Sequence, residues 1–359
     1  MVNKIQKYFL VLFLFIGNLN SQVFVGKYAG EFMSIGIGGR ALGMGSAYVA
    51  VANDITATYW NPAALGLLNY PEISLMHDEK FAGLVNYDYG AYVTPSKNNL
   101  EFSNYLKDST ELNLENNSAT YGFSLIRLGI DGIPDTRLAW DDKNKDGLFN
   151  DGGDVRPDYT KITFFNAADY AFYFSYAEKY SENIFIGGNL KLIRRNIGEF
   201  NANGIGIDFG IIYMQSDNLK FGLVIQDLTS TYVAWSTGRN ELILPTVKSG
   251  IAYQTNFYDG VLTFATDSDV KFENRKYSSL AHAGLLSADL HAGIEYDYKN
   301  LFAVRAGYNE FKNITLGAGV HLPKLDIDYS FAKFDATDQL GNSHRISIRL
   351  KLEEESYKR

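Results

Sequence analysis

From about Glu72 onward, the chain alternates between apolar and polar residues with a period of two, segment after segment. In residues 324–331, KLDIDYSF, one face carries Leu325, Ile327, Tyr329 and Phe331, and the other carries Asp326, Asp328 and Ser330. In residues 345–352, RISIRLKL, Ile346, Ile348, Leu350 and Leu352 oppose Arg345, Ser347, Arg349 and Lys351. A period of two is the period of a β-strand. The same split recurs at 184–192, 205–211, 290–297 and 302–308. A soluble sandwich also alternates, with its polar face in water. Two features favour a membrane barrel. The segments run to roughly 8–12 residues, near the length that crosses a bilayer at a tilt. Tyrosines recur at their ends (Tyr213, Tyr253, Tyr296, Tyr298, Tyr308, Tyr329), as in the aromatic girdles of such barrels. The expected fold is all-β: an antiparallel transmembrane β-barrel. A soluble sandwich or solenoid is the alternative.

About fourteen strands can be placed, starting near Glu72, Leu84, Ala119, Asp169, Asn183, Asn203, Leu219, Thr246, Val261, Ala288, Leu301, Ile314, Lys324 and His344. The connections after even strands are short (EKYSE, QSDN, NFYDG, YKN, LPK), whereas most after odd strands are longer, notably 130–168, 228–245, 268–287 and 332–343. Short periplasmic turns and long outer loops give this asymmetry, and an even count returns both ends of the barrel to the periplasm. The barrel is placed at 71–352, with a periplasmic tail at 353–359. The long polar connection 94–118 breaks the pattern.

Residues 1–21 read as a secretory signal peptide: Lys4 and Lys7, then an apolar run ending at Gly17, then NLNSQ. That run is well short of the roughly 20 residues a membrane helix needs. The formal charge of -8 becomes -10 once Lys4 and Lys7 are removed, which disfavours a nucleic-acid partner. Zero cysteines exclude disulfides, thiolate metal sites and thiol nucleophiles. The five histidines (His77, His282, His291, His321, His344) make no metal-binding or catalytic pattern, and there is no G-x-S-x-G elbow. No enzyme is expected.

One stretch does not repeat. Residues 36–67, GIGGRALGMGSAYVAVANDITATYWNPAALGL, are glycine-rich, then apolar, and close on Trp60-Asn61-Pro62. The run from Gly36 to Ala41 matches G-x-G-x-x-A, but no βαβ unit surrounds it, so a dinucleotide site is not expected. The glycines suit tight turns and close packing. A short helix is expected to begin in 54–59 behind Asn53 or Asp54, and Pro62 favours an extended Asn61. The segment 22–70 is therefore assigned to a plug in the lumen or across its mouth, with Gly38, Gly39, Arg40, Trp60, Asn61 and Pro62 as its motif residues. It is read either as a fixed support or as a gate.

Three further features stand out. Asp142, Asn144 and Asp146, with Gly147 and the Leu148 carbonyl, have the spacing of a Ca²⁺ loop. Gly153 stands where the closing Glu belongs, so Asp151 or Asp154 would substitute; the alternative is an acidic turn-rich loop. The inward faces carry Asp208, Glu295, Arg305, Asp326, Asp328, Arg345, Arg349 and Lys351, mixed signs that suggest ion pairs sealing the lumen. In 233–245, VAWSTGRNELILP, an outer loop would expose Trp235, Leu242, Ile243 and Leu244, a candidate partner surface or a cover for the mouth.

The stretch GGRALGMGSAYVAVANDITATYWNPAALG resembles the N-terminal signature of the PorV/PorQ family, related to FadL-type outer-membrane barrels. Further matching segments are GFSLIRLGIDGIPDT (122–136), GGNLKLIRRNIGEFNANGIGIDFGIIY (187–213), FGLVIQDLTSTYVAWSTG (221–238), RAGY (305–308) and HRISIRL (344–350). The resemblance implies a fourteen-stranded barrel in the cell outer membrane with an N-terminal segment folded into the lumen. It also implies a role in type IX secretion, with translocon and attachment-complex proteins and exported sorting-domain cargo as partners. The alternatives are a FadL-like transporter of hydrophobic small molecules and a soluble periplasmic binding protein.

Overall fold

The computed structural model describes residues 23–25, 30–81, 83–96, 119–139, 158–273, 275, 279–333 and 342–352. The expected signal peptide, the tail 353–359, the Ca²⁺-loop residues 142–151 and most of the connection 94–118 lie outside the described residues.

Fourteen antiparallel strands close into a barrel. In chain order they are β1 (Glu72–Lys80), β2 (Val85–Pro95), β3 (Ala119–Asp135), β4 (Thr163–Lys179), β5 (Ile184–Ile197), β6 (Phe200–Met214), β7 (Leu219–Gln226), β8 (Thr246–Phe257), β9 (Gly260–Lys271), β10 (Leu286–Tyr298), β11 (Phe302–Tyr308), β12 (Ile314–His321), β13 (Leu325–Lys333) and β14 (Asn342–Lys351). Each pairs with the next, and β14 pairs with β1, Leu350 opposite Ile73 and His344 opposite Glu79, so no barrel edge is left open.

The polarity of the wall is the reverse of a soluble protein. Leu190 and Ile346 are 41% and 53% exposed, while the charged Lys191 and Arg345 beside them are 3% and 5% exposed. Only a hydrocarbon surround makes outward-facing Leu, Ile and Phe favourable. Tyr121 packs edge-on against Tyr176 and Tyr213 stacks on Phe221 at the end of the barrel nearest Glu72. The tight connections 180–183, 215–218, 258–259, 299–301 and 322–324 lie at that same end, which identifies it as periplasmic. Among the described residues no helix is long and apolar enough to cross a membrane.

Two expectations about the outer end change. Strands β3 and β4 pair out to Asp135 and Thr163, with a register shift between Ile130 and Ile133, so much of the expected loop 130–168 is strand. Roughly 9–11 residues suffice to cross a bilayer, so these two strands of 17 residues each stand above it as a wall. The segment 228–245 is a β-hairpin, Thr231–Trp235 against Asn240–Ile243, with the short strand Val23–Val25 parallel to its second arm. Its first arm pairs with β6, so β7 and this arm form one broken strand. The break is at Asp227 and Ser230, both at positive φ (55° and 59°). The connection between β5 and β6 is also a tight one, an exception to the longer connections expected after most odd strands.

Candidate functional site: the plugged lumen

Residues 30–70 fill the lumen. They hold short helices, α1 (Glu31–Ser34), α2 (Gly39–Gly43) and α3 (Ala57–Trp60), and a 3₁₀ turn, Pro62–Leu67. So little regular structure leaves many backbone groups to be satisfied from outside the segment. Barrel side chains do this. Asp267 of β9 accepts from the Tyr48 and Val49 N–H groups at 2.6 and 2.8 Å. Glu72 accepts from the Ile55 N–H at 2.9 Å, and Ser347 accepts from the Gly39 N–H at 3.0 Å. Thr315 donates to the Gly43 carbonyl at 3.1 Å, and Asn189 to the Thr58 carbonyl at 2.9 Å.

Close approach is possible because the wall lacks side chains where the plug touches it. A Cβ at Gly187 of β5 would meet the Pro62 and Ala63 backbone at 2.6 Å, and one at Gly222 of β7 the Val49 carbonyl at 2.5 Å. Gly210, Gly293, Gly307 and Gly317 abut Asn61, Met44, Gly45 and Gly43 in the same way. These seats come from six different strands, so the plug is gripped around most of the wall.

Charge fixes its position. Arg40 makes a two-point contact with Glu295 of β10 (2.9 and 2.7 Å) and donates to Asn53 at 2.7 Å. Glu295 also accepts from Arg305 at 2.5 Å, and Arg305 reaches Asp328 at 2.6 Å. Arg349 lies 3.5 Å from Asp54 and pairs with Asp326, while Arg345 donates to Asp78 at 2.9 Å. Burial alone would push the Asp54 carboxyl up, but Arg349 and Arg40 outweigh it and hold it below the usual carboxylate range. Burial pushes the Tyr59 phenol up to about 12, and its O–H donates to the Met33 carbonyl.

The structure places each expected plug residue in this contact. The Gly38 N–H points at the Met76 sulfur, 3.0 Å away. Trp60 donates its indole N–H to the Ile37 carbonyl at 3.0 Å and packs edge-on against Tyr59, 5.0 Å between ring centres. Asn61 is extended, donates to the Val49 and Ile211 carbonyls, and accepts from the Ala63 N–H. Pro62 opens the 3₁₀ turn. The short helix starts at Ala57, and Asp54 accepts from the Thr56 N–H at 2.9 Å in the turn before it.

At the outer mouth, Trp235, Leu242 and Ile243 are half-buried in the hairpin, not exposed in a loop. The Arg195 guanidinium lies between the rings of Trp235 and Phe32, 5.3 and 5.7 Å from their centres, and pairs with Asp169 at 2.9 Å. Ile243 packs on Gly30. The crevice left between plug and wall holds about 100 Å³ and is floored by Trp60 and Tyr173. Lys191 closes the break after β7: it pairs with Asp208 (2.7 Å) and Asp227, and Asp227 also accepts from Thr231. Asp78, Asp227 and Asp267 were not singled out in the sequence, and Asp54 only as a helix cap. Their signal was only an inward position on a strand or a place in a turn. Among the described residues no cluster of His, Asp and Glu is arranged to hold a metal ion.

The comparisons agree with this architecture. The toluene transporter TbuX of Ralstonia pickettii is 14% identical, over 89% of this chain and 99% of its own, with a TM-score of 0.54. The CymD monoaromatic hydrocarbon channel is 14% identical, over 89% and 98%, with a TM-score of 0.52. The Pseudomonas putida toluene transporter TodX is 13% identical, over 88% and 96%, with a TM-score of 0.51. At such identity the likeness speaks for the fold alone. A comparison with curated proteins finds no match. The family described as type IX secretion system membrane protein PorP/SprF matches residues 166–350, from within β4 to within β14 and more than half of the chain. The matched family is thus PorP/SprF; the N-terminal signature quoted for the PorV/PorQ resemblance lies outside the matched span, and the segments 187–213, 221–238, 305–308 and 344–350 lie inside it. With its inverted wall polarity and its closed ladder, this outer-membrane barrel belongs to the PorP/SprF family of type IX secretion system membrane proteins.

Proposed function

We propose that the barrel serves type IX secretion as a non-enzymatic platform of the PorV/PorQ kind, receiving exported proteins with a sorting domain and presenting them to surface-attachment proteins. The observation that carries this reading is the filled lumen. Among the described residues, a plug held by glycine seats, backbone hydrogen bonds and buried ion pairs occupies the lumen, which favours work at the outer surface over passage of a solute. The wall of β3 and β4 offers a contact face there, with Leu138, Tyr159 and Phe164 exposed above the membrane. Pull-down of the tagged barrel from outer membranes tests this. Translocon components and sorting-domain proteins are expected to co-purify, and Leu138→Asp with Phe164→Asp to reduce their yield at least five-fold while the barrel stays folded. Loss of growth on long-chain fatty acids with export intact would sink the reading.

The second reading is a transporter of hydrophobic small molecules, favoured by the broken strand beside the plug. Its difficulty is that Lys191, Asp208, Asp227 and Thr231 fill the break with buried, paired polar groups. Uptake of a labelled aromatic hydrocarbon into proteoliposomes at rates above empty liposomes would favour it.

A further inference from the structure

A groove of about 560 Å³ runs along the outside of the barrel at the seam where β14 meets β1. Its floor is built from directly opposed pairs. Nearest the middle of the wall stand Leu75 and Ile348; one step outward stand His77 and Ile346; at the outer end stand Glu79 and His344, followed by Asn342 and Gly83. Each step of two residues advances roughly 6.6 Å along a strand. The groove therefore changes from apolar to mixed to polar as it rises toward the outer face. On one side Tyr329 and Phe331 of β13 stand opposite Ile346 and His344, and on the other Gly90 of β2 stands opposite Leu75 with no side chain to fill the space.

The polar end is organised. His77 contacts Asp88 at 2.7 Å, which in turn accepts from Arg127 at 3.0 Å. The Tyr329 hydroxyl is 2.8 Å from His344 Nδ1. A hydroxyl that donates there leaves the Nε2–H to donate outward. Glu79, opposite His344, is 65% exposed, with one carboxylate oxygen 3.5 Å from His77 Nε2. This face of an outer-membrane barrel is bathed in lipid, so acyl chains are what covers it.

We propose that the seam groove is a binding site for one aminophospholipid. Its acyl chains lie on Leu75, Ile346 and Ile348. Its ammonium meets the Glu79 carboxylate, and its phosphate accepts from His344 and Asn342. The apolar-to-polar order of the groove matches the tail-to-head order of a lipid in the outer leaflet, and the exposed Glu79 carboxylate at its polar end suits a head that carries an ammonium, while the Asp88 charge is already taken up by His77 and Arg127.

Native mass spectrometry of the full-length barrel, stripped of co-purified lipid in mild detergent, tests the site with palmitoyl-oleoyl phosphatidylethanolamine and the matched phosphatidylglycerol. One phosphatidylethanolamine is expected to survive activation that removes all other lipid, with at least a five-fold preference over phosphatidylglycerol. Leu75→Trp fills the groove and is expected to abolish the retained adduct. Glu79→Gln is expected to keep an adduct but bring the preference to about one. Gly90→Leu crowds the groove from β2 and serves if Leu75→Trp lowers the yield of heat-modifiable, folded barrel. Graded, non-saturating adducts untouched by these variants would overturn the proposal. So would a wild-type preference for phosphatidylglycerol or for lipid A.

Discussion

Replacing Glu295 by alanine isolates the charge that anchors the plug. Glu295 is 3% exposed and binds Arg40 from the plug and Arg305 from the wall. Breaking a buried pair by removing one partner costs about 3–5 kcal/mol. Arg40 keeps Asn53 at 2.7 Å and Arg305 keeps Asp328 at 2.6 Å, so the lower end applies. At about 1.36 kcal/mol per tenfold, a loss of about 3 kcal/mol raises the undocked population roughly 150-fold. The strand ladder does not involve this side chain, so the barrel should remain folded. The assay is conductance in planar bilayers, with heat-modifiable gel mobility confirming the fold. Wild type should be nearly silent, and Glu295→Ala should show bursts about two orders of magnitude more often. Arg40→Ala combined with Glu295→Ala should cost less than the sum of the two single changes, because the pair then fails together. A silent Glu295→Ala variant, with the two changes strictly additive, would refute an electrostatic anchor and leave packing as the cause.

Other perturbations probe separate contacts. The folded-state pKa of Asp54 lies below its unfolded value, so its contribution is present above about pH 4 and is lost as pH falls through the lower folded value. Conductance should stay silent from pH 8 to about 5 and rise only below about 4; bursts at pH 6 would count against this. Gly187→Val drives a side chain into the Pro62 backbone, and should either displace the plug or cut the yield of folded barrel, whereas Gly90→Ala, whose Cβ would meet only the Leu75 side chain at 3.5 Å, should do neither to a comparable extent. Lys191→Ala takes the paired cation from the buried Asp208 and Asp227, which keep only neutral donors, at a cost of about 3–5 kcal/mol. Its urea midpoint should fall, and an unchanged midpoint would mean that the break after β7 is held by other groups.

The barrel was legible because the bilayer enforces a period of two on every strand. Twelve of the expected starts lie within two residues of the observed ones at Glu72, Val85, Ala119, Ile184, Leu219, Thr246, Gly260, Leu286, Phe302, Ile314, Leu325 and Asn342. The alternation could not mark where strands outrun the membrane. Above the bilayer the two faces of β3 and β4 no longer need opposite polarity, so 163–168 read as loop. The hairpin was hidden for a similar reason: Asp227 and Ser230 at positive φ interrupt the alternation between β7 and Thr231. The inward charges were visible by parity, but their partners depend on register, which no single strand encodes. Arg305 meets Glu295 because β10 and β11 place them directly opposite. Arg40 joins them only through the path of the plug, which carries almost no periodic signal.

The glycine seats explain why the two parts of the chain must be read together. A wall glycine weakens its own strand and gains nothing from packing against lipid. Gly187, Gly210, Gly222, Gly293, Gly307 and Gly317 all face inward, where a larger residue would strengthen an empty barrel. Their cost is offset only if the plug occupies the lumen in the working state. Asp267 and Glu72 make the same point in charge: each is buried and accepts from plug N–H groups. An open channel would leave those carboxylates facing water and those glycines facing nothing. The wall is thus shaped around a resident segment, and a function that keeps the segment in place fits it better than one that requires its repeated departure.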